Sequence, residues 1–281
     1  MNNAAPQARG LASLPPDYHV HLPFCKHASG SPEAYRQTAG QHGLLEIGFA
    51  DHAPSPTGYD PENRMAMDEF PAYLETVRRL QDGASPPVRL GIEADYHTGC
   101  ETFLRAWLPH QPFDYVLGSV HYLGDWGFDN PDHLATWKSV DVKGVWRTYF
   151  AHVRRLIGLR LFDAVAHLDL PKKFGHRLRD RDLKEFVQPV LDDLLAANMV
   201  LEVNTGGLRW PAAEIYPAPL ILELAREREL RVCFGSDAHE PARVGAAFAE
   251  AVALLHSLGF THCVCFRARQ AEPVPLPAGR R

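Results

Sequence analysis

Short apolar runs recur along the chain, and most of them stop on a carboxylate or an imidazole. Their length and β-branched content predict strands over residues 17–22, 45–51, 88–95, 115–121, 162–167, 199–204, 232–237 and 260–266. Helical patterns lie between them. Ser31-Pro32-Glu33 opens one, with a capping serine and a proline in the first turn. Residues 67–81, 143–159, 180–198 and 219–229 carry others. Over 241–258, Val244, Phe248, Val252 and Leu255 recur at helical spacing ahead of Gly259. Strands alternating with helices predict a parallel sheet with right-handed crossovers. Seven or eight such units point to a βα barrel over 15–267. An open doubly wound sheet is the rival, weakened because no Gly-x-Gly-x-x-Gly follows the first strand. Residues 1–14 and the Pro-rich 268–281 are expected to be flexible tails.

Composition narrows the classes. With 46% hydrophobic residues in 281, the chain can bury a large core. A formal net charge of -5 argues against nucleic acid or an anionic membrane as partner. No run approaches the roughly 18 apolar residues that cross a bilayer. The five cysteines are odd in number and form no CxxC pair, so a reduced, cytoplasmic protein is expected.

The 15 histidines change the picture, because many fall where strands end. In chain order the ends carry His19 and His21, Asp51 and His52, Glu93, His121, His167 and Asp169, Glu202 and Asn204, then Asp237 and His239. In a parallel barrel all these ends meet on one face. Residues i and i+2 of a strand share a side, so His19 and His21 aim together, as do Asp237 and His239. A lone histidine at a strand end is usually structural, and His42, His97, His110, His133, His152, His176, His256 and His262 are assigned to that class. A set repeated at so many strand ends points instead to metal binding. Imidazole and carboxylate suit Zn, Fe or Mn better than Mg, and two or three ions sharing a carboxylate use the donors economically. Cys263 and Cys265 lie in an apolar run and are expected to pack. Cys25 follows His21 closely but is not assigned as a ligand.

The motifs DYHVHLPFCKHASGSPEAY, GFADHAP, GIEADY, GSVHYL, AHLDLPKKFG, EVNTGGLR and GSDAH occur in that order. The chain resembles the polymerase-and-histidinol-phosphatase (PHP) superfamily over nearly its whole length, most closely the monofunctional histidinol-phosphatase branch. The resemblance implies a distorted (β/α)7 barrel with a trinuclear site. It implies one ion on His19, His21, Glu93 and Asp237, a second on Glu93, His121 and His167, and a third on His27, His52 and His239. It further implies hydrolysis of L-histidinol phosphate, a small phosphate monoester, by a metal-bound hydroxide. A superfamily phosphatase or phosphodiesterase acting on nucleotides is the alternative, and a non-enzymatic metal-binding barrel a second.

Arg209, directly after EVNTGG, is the expected phosphate clamp, because a guanidinium grips phosphate at two points. Pairing with Glu214 is its bland alternative. Lys172 and Lys173 are expected to add positive charge to the substrate site. Asp17, Asp51 and Asp169 are candidates to orient ligands or donate a proton.

Overall fold

The structure is a computed structural model that describes residues 14–83 and 85–278. Apart from Leu14, the expected N-terminal tail lies outside the described residues.

Seven parallel strands hydrogen-bond in chain order: β1 (Asp17–Val20), β2 (Ile47–Phe49), β3 (Val88–Asp95), β4 (Tyr115–Ser119), β5 (Ala164–Val165), β6 (Val200–Asn204) and β7 (Val232–Gly235). Each connection carries a helix: α1 (Pro32–His42), α2 (Phe70–Gln81), α3 (Glu101–Trp107), α4 (Val142–Leu159), α5 (Asp180–Ala197) and α6 (Pro219–Glu227), with α7 (Phe248–Ser257) after β7. Strands β1, β2, β4, β6 and β7 are buried along their whole length. Helices cover the outside and side chains fill the inside, so β2, β4 and β7 read as short apolar runs, while β1 and β6 carry the buried polar residues Asp17, His19, Glu202 and Asn204.

The sheet closes into a distorted (β/α)7 barrel at the strands' C-terminal ends. Val20 and Ala238 form a parallel bridge there. The His21 amide donates to the Ala238 carbonyl at 2.9 Å, and the Ala238 amide to the His19 carbonyl at 3.2 Å. Asp17 seals the same seam. Its carboxylate accepts from the Ser236 amide (2.9 Å), the Ser236 hydroxyl (2.6 Å) and the Gly245 amide (2.9 Å).

The far end is closed differently, and two expectations fail there. The run at 260–266 is not an eighth barrel strand. It becomes β8 (His262–Arg267), which pairs antiparallel with β9 (Gln270–Pro275). Much of the segment expected as a flexible tail is therefore a strand. Its turn, Ala268-Arg269, has both residues at positive φ (47° and 66°), the geometry of a two-residue hairpin loop. No glycine or asparagine advertises it. Residues just ahead of β4 and β5 hold it instead: Asp114 Oδ1 accepts from the Ala268 amide at 3.2 Å, and Asp163 from Arg269 Nε at 2.5 Å. The hairpin plugs the barrel floor. Phe266 packs 5.1 Å from the Tyr18 ring and 5.5 Å from the Tyr115 ring. The Tyr115 ring itself fits only because Gly48 and Gly91 have no side chain.

A third difference lies in 241–258. Positive φ at Gly245 (65°) and Ala247 (59°) breaks the apolar pattern into a turn at Pro241–Arg243 and the shorter α7. Ser31 caps α1 as its position predicts, its hydroxyl accepting from the Ala34 amide at 3.3 Å.

Phe266 has 0% of its surface exposed. Replacing a buried phenylalanine with alanine removes contacts and leaves a cavity, at a cost of about 3–5 kcal/mol. Phe266→Ala is expected to lower stability by that amount in denaturant unfolding while leaving the opposite end of the barrel intact. A change below about 1 kcal/mol would mean that the hairpin is not the floor of the barrel.

Candidate metal centre

Glu93, on β3, sits at the centre of the barrel mouth with 1% of its surface exposed. Its two carboxylate oxygens face different sets of rings. Oε2 lies 3.3 Å from His19 Nε2, 3.5 Å from His21 Nε2 and 3.1 Å from His52 Nδ1. Oε1 lies 3.1 Å from His167 Nε2 and 3.6 Å from His121 Nε2. Asp237 Oδ1 approaches from β7, 3.5 Å from His21 Nε2 and 3.8 Å from His19 Nε2. His239 stacks on His21 at 4.2 Å and on His27 at 4.5 Å, so the third expected group is adjacent but more open. All nine residues expected as ligands therefore gather at one end of the barrel.

Several rings are locked by a hydrogen bond at Nδ1, which leaves Nε2 as the free donor. His19 Nδ1 contacts Glu202 Oε1 at 2.6 Å, and His121 Nδ1 contacts Asp95 Oδ1 at 2.9 Å. His27 Nδ1 meets the Cys25 carbonyl at 2.7 Å, and His239 Nδ1 the Asp237 carbonyl at 3.1 Å. Gly235 is required for the first of these, because a Cβ there would collide with Glu202 and His19. His167 and Asp237 adopt φ of 26° and 54°, a conformation costly for residues with a side chain. Such strain persists where surrounding structure over-determines it, typically at functional sites.

Burial alone would raise the carboxyl of Glu93, but His52, His19 and His121 hold it well below the usual carboxylate range. Burial likewise opposes ionisation of Asp237, which His19, His239 and His21 hold well below that range. Burial, helped by the neighbouring His239 and His52 rings, pushes His21 well below neutrality, into the form that ligates.

Other expected residues are placed elsewhere. Lys172 is corrected: it is 2% exposed, and its ammonium is fully engaged. It donates to Asp169 Oδ2 at 2.8 Å, Glu214 Oε2 at 2.7 Å and the Ile215 carbonyl at 2.6 Å, so no donor remains for substrate. Asp169 is committed to that pair and to the Ala218 amide at 2.9 Å. Asp51 accepts from the Leu22 amide at 3.0 Å and the Cys25 amide at 3.1 Å, shaping the loop that carries His27. With Asp17 at the barrel seam, all three aspartates brace backbone. None of them hydrogen-bonds to a side chain of the nine ligand-type residues, and Asp169 Oδ1 is buried without a partner. By contrast, Lys173 and Arg209 line a mouth cavity of about 620 Å³ together with His27, His121, Asp237 and His239. Arg209 is anchored by the Ser236 carbonyl (3.0 Å) and the Asp237 carbonyl (2.8 Å). Glu214 is not its partner.

Asp95 and Glu202, which the strand-end pattern leaves without a role, hold the rings of His121 and His19. Both sit on strands two residues from another acid or amide, in GIEAD and LEVN, and that alternation was the available signal. Cys25 also comes close: its sulfur and one ring nitrogen each of His27 and His239 lie within 4.8 Å of one another. Burial pushes its thiol well above the ordinary value.

The residues fit a metal cluster on chemical grounds. His19 Nε2, His21 Nε2, His52 Nδ1, Glu93 Oε2 and His239 Nε2 face the cluster and are buried without a hydrogen-bond partner. Buried polar atoms are rarely left so, and this many on one set of lone-pair donors matches what cations satisfy.

Comparison with known proteins agrees. The PHP domain matches residues 17–206 and the PHP-associated family residues 219–253. A protein of Deinococcus radiodurans named "probable histidinol-phosphatase" is 43% identical over 259 residues, covering 92% of this chain and 98% of its own. The histidinol-phosphatase of Bacillus subtilis is 29% identical over 83% of this chain and 96% of its own. The solved histidinol phosphate phosphatase of Lactococcus lactis, complexed with zinc, L-histidinol and phosphate, superposes with a TM-score of 0.80. It is 21% identical and covers 92% of this chain and 98% of that one, a likeness of fold. The chain belongs to the PHP domain family.

Proposed function

We propose that the protein is a metal-dependent histidinol-phosphatase, converting L-histidinol phosphate and water to L-histidinol and phosphate. The observation that carries the reading is the placement of Arg209. Its guanidinium lines the same cavity as Asp237 and His239, so an anion grip adjoins the cluster of ligand-type groups. The name of the 43% identical relative supports the choice of substrate. Two or three divalent ions, of Zn, Fe or Mn, would be held by His19, His21, His27, His52, Glu93, His121, His167, Asp237 and His239. Bound there, they supply charge neutralisation at the phosphoryl oxygens and a water acidified to a pKa of about 7.

The chain's own groups account for binding and orientation. Glu202 and Asp95 keep His19 and His121 presenting Nε2 to the cluster. Arg209 spends one donor of each terminal nitrogen on the carbonyls of Ser236 and Asp237, which leaves N–H groups that would meet phosphate oxygens in the cavity it lines. Lys173 lies on the same wall, held by Asp129 Oδ2 at 3.1 Å and 4.4 Å from the Trp210 ring centroid, and adds positive charge at the rim.

Turnover measured across histidinol phosphate, nucleotide monophosphates, a dinucleotide and p-nitrophenyl phosphate tests the assignment. Histidinol phosphate is expected to have the highest kcat/KM, and a chelator to abolish its turnover. A preference for the nucleotides would move the protein to another branch, and full activity in chelator would remove the metals.

Arg209 gives a second test. Arg209→Ala is expected to keep the metal content and to lower kcat/KM about ten- to hundredfold, from a charge-assisted contact of about 1.5–3 kcal/mol. Arg209→Lys should recover part, because lysine keeps the charge and loses the fork. Unchanged kinetics would take Arg209 out of the substrate site. A fall accompanied by metal loss would reassign it to bracing the Asp237 turn.

A further inference from the structure

Arg64 lies in the connection between β2 and α2, outside the nine candidate ligands, yet it is only 3% exposed. Its Nη2 donates to Asp95 Oδ2 at 2.6 Å and to Asp60 Oδ2 at 3.2 Å. Nη1 donates to the Ala53 carbonyl at 3.1 Å, and Nε to the Asp60 carbonyl at 3.2 Å. The Tyr59 ring covers one face of the guanidinium, 4.6 Å from its centre. Asp95 turns its other oxygen inward. Oδ1 accepts from the Ser119 hydroxyl at 2.7 Å and from His121 Nδ1 at 2.9 Å. A continuous chain Asp60–Arg64–Asp95–His121 therefore ends on the ring whose Nε2 faces Glu93. Its outer end reaches the cavity, because Asp60 Oδ1 accepts from the Tyr122 hydroxyl at 2.9 Å and from Asn63 Nδ2 at 2.7 Å. Asp60, Asn63, Tyr122 and His121 all line the mouth.

A buried ion pair is weak evidence of stability, because desolvation offsets the attraction. What a guanidinium between two carboxylates supplies is geometry. Nη1 and Nε are pinned on backbone carbonyls, so the Nη2 that meets both Asp95 Oδ2 and Asp60 Oδ2 is held in a fixed place, which a lysine, as a point charge on a flexible stem, cannot reproduce. Asp95 in turn keeps the His121 proton on Nδ1, so that the Nε2 lone pair points to the cluster. Groups in this position raise metal affinity without touching the metal.

We propose that Arg64 is a positioning residue of the metal centre: by gripping Asp95 it orients His121 and tightens the ion held there, and through Asp60 it ties that ion to the loop forming the cavity wall. The inference rests on the metal-centre reading and not on the choice of substrate. The test is competition for Zn²⁺ between the loaded protein and a graded chelator, with ions counted as they are released. Arg64→Lys is expected to loosen one ion about ten- to hundredfold and to leave the others unchanged. Phe266→Ala serves as the control for a purely structural defect, and should lose stability with Zn²⁺ affinity intact. Because Arg64 acts through Asp95, the Arg64→Lys effect should vanish in an Asp95→Asn background.

Zn²⁺ affinity unchanged by Arg64→Lys, or lost by the same factor with and without Asp95, would overturn the proposal. If Arg64→Lys fails to fold, Asp60→Asn takes its place, removing only the outer anchor. It should loosen the same ion by a smaller factor, and unaltered affinity there would equally overturn the proposal. A wild-type protein that holds no Zn²⁺ would sink the metal-centre reading itself.

Discussion

The arrangement depends on one buried carboxylate. Glu93 lies between the rings of His19, His21, His52, His121 and His167, with 1% of its surface exposed. An isolated carboxylate in such surroundings would surrender its charge, since desolvation is costly unless opposite charge or hydrogen-bond donors compensate it. The rings reverse that tendency. In the proposed function the ions complete the compensation, with one carboxylate oxygen facing each of two groups of ring nitrogens. The rings in turn owe their aim to Glu202, Asp95 and backbone carbonyls, so the centre reads as two concentric layers.

The barrel holds this charged cluster by closing its two ends with different chemistry. At the mouth, β1 and β7 join through the Val20–Ala238 bridge, and Asp17 clamps the turn that leads into Asp237. At the floor, the antiparallel hairpin brings Phe266 onto Tyr18 and Tyr115. The aromatic floor carries packing energy, while the mouth is free to accumulate groups that oppose folding unless they are paired. Positive φ at His167 and Asp237 sits on the mouth side, where strain serves position.

The gathering of the candidate ligands was legible because strand-terminal carboxylates and imidazoles must converge in a parallel barrel, whatever lies between them; His27, in the loop after β1, came only with the family resemblance. Less legible were features that depend on a tertiary partner. The turn at Ala268-Arg269 lacks the usual glycine signal, because Asp114 and Asp163 hold it from outside, so nothing local marks the strand that follows. Lys172 and Lys173 are neighbours in sequence but face opposite environments, one buried against Asp169 and Glu214, the other on the cavity wall. Asp51 and Asp169 share the ligand-like position past a strand end, but Asp51 holds backbone amides and Asp169 holds Lys172 and the Ala218 amide, while Asp17 clamps Ser236 and Gly245. Arg64 lies in a polar connection with no periodicity, and only the fold shows what it grips.

The central claim is that the metal centre would depend on the charge of Glu93, and the most direct measurement is the metal content and turnover of Glu93→Gln beside wild type. The substitution keeps the shape and removes the charge. The account predicts fewer ions per chain and a fall in turnover of at least about a hundredfold, the scale on which preorganised charge is lost. Wild-type metal content with near wild-type turnover would contradict it.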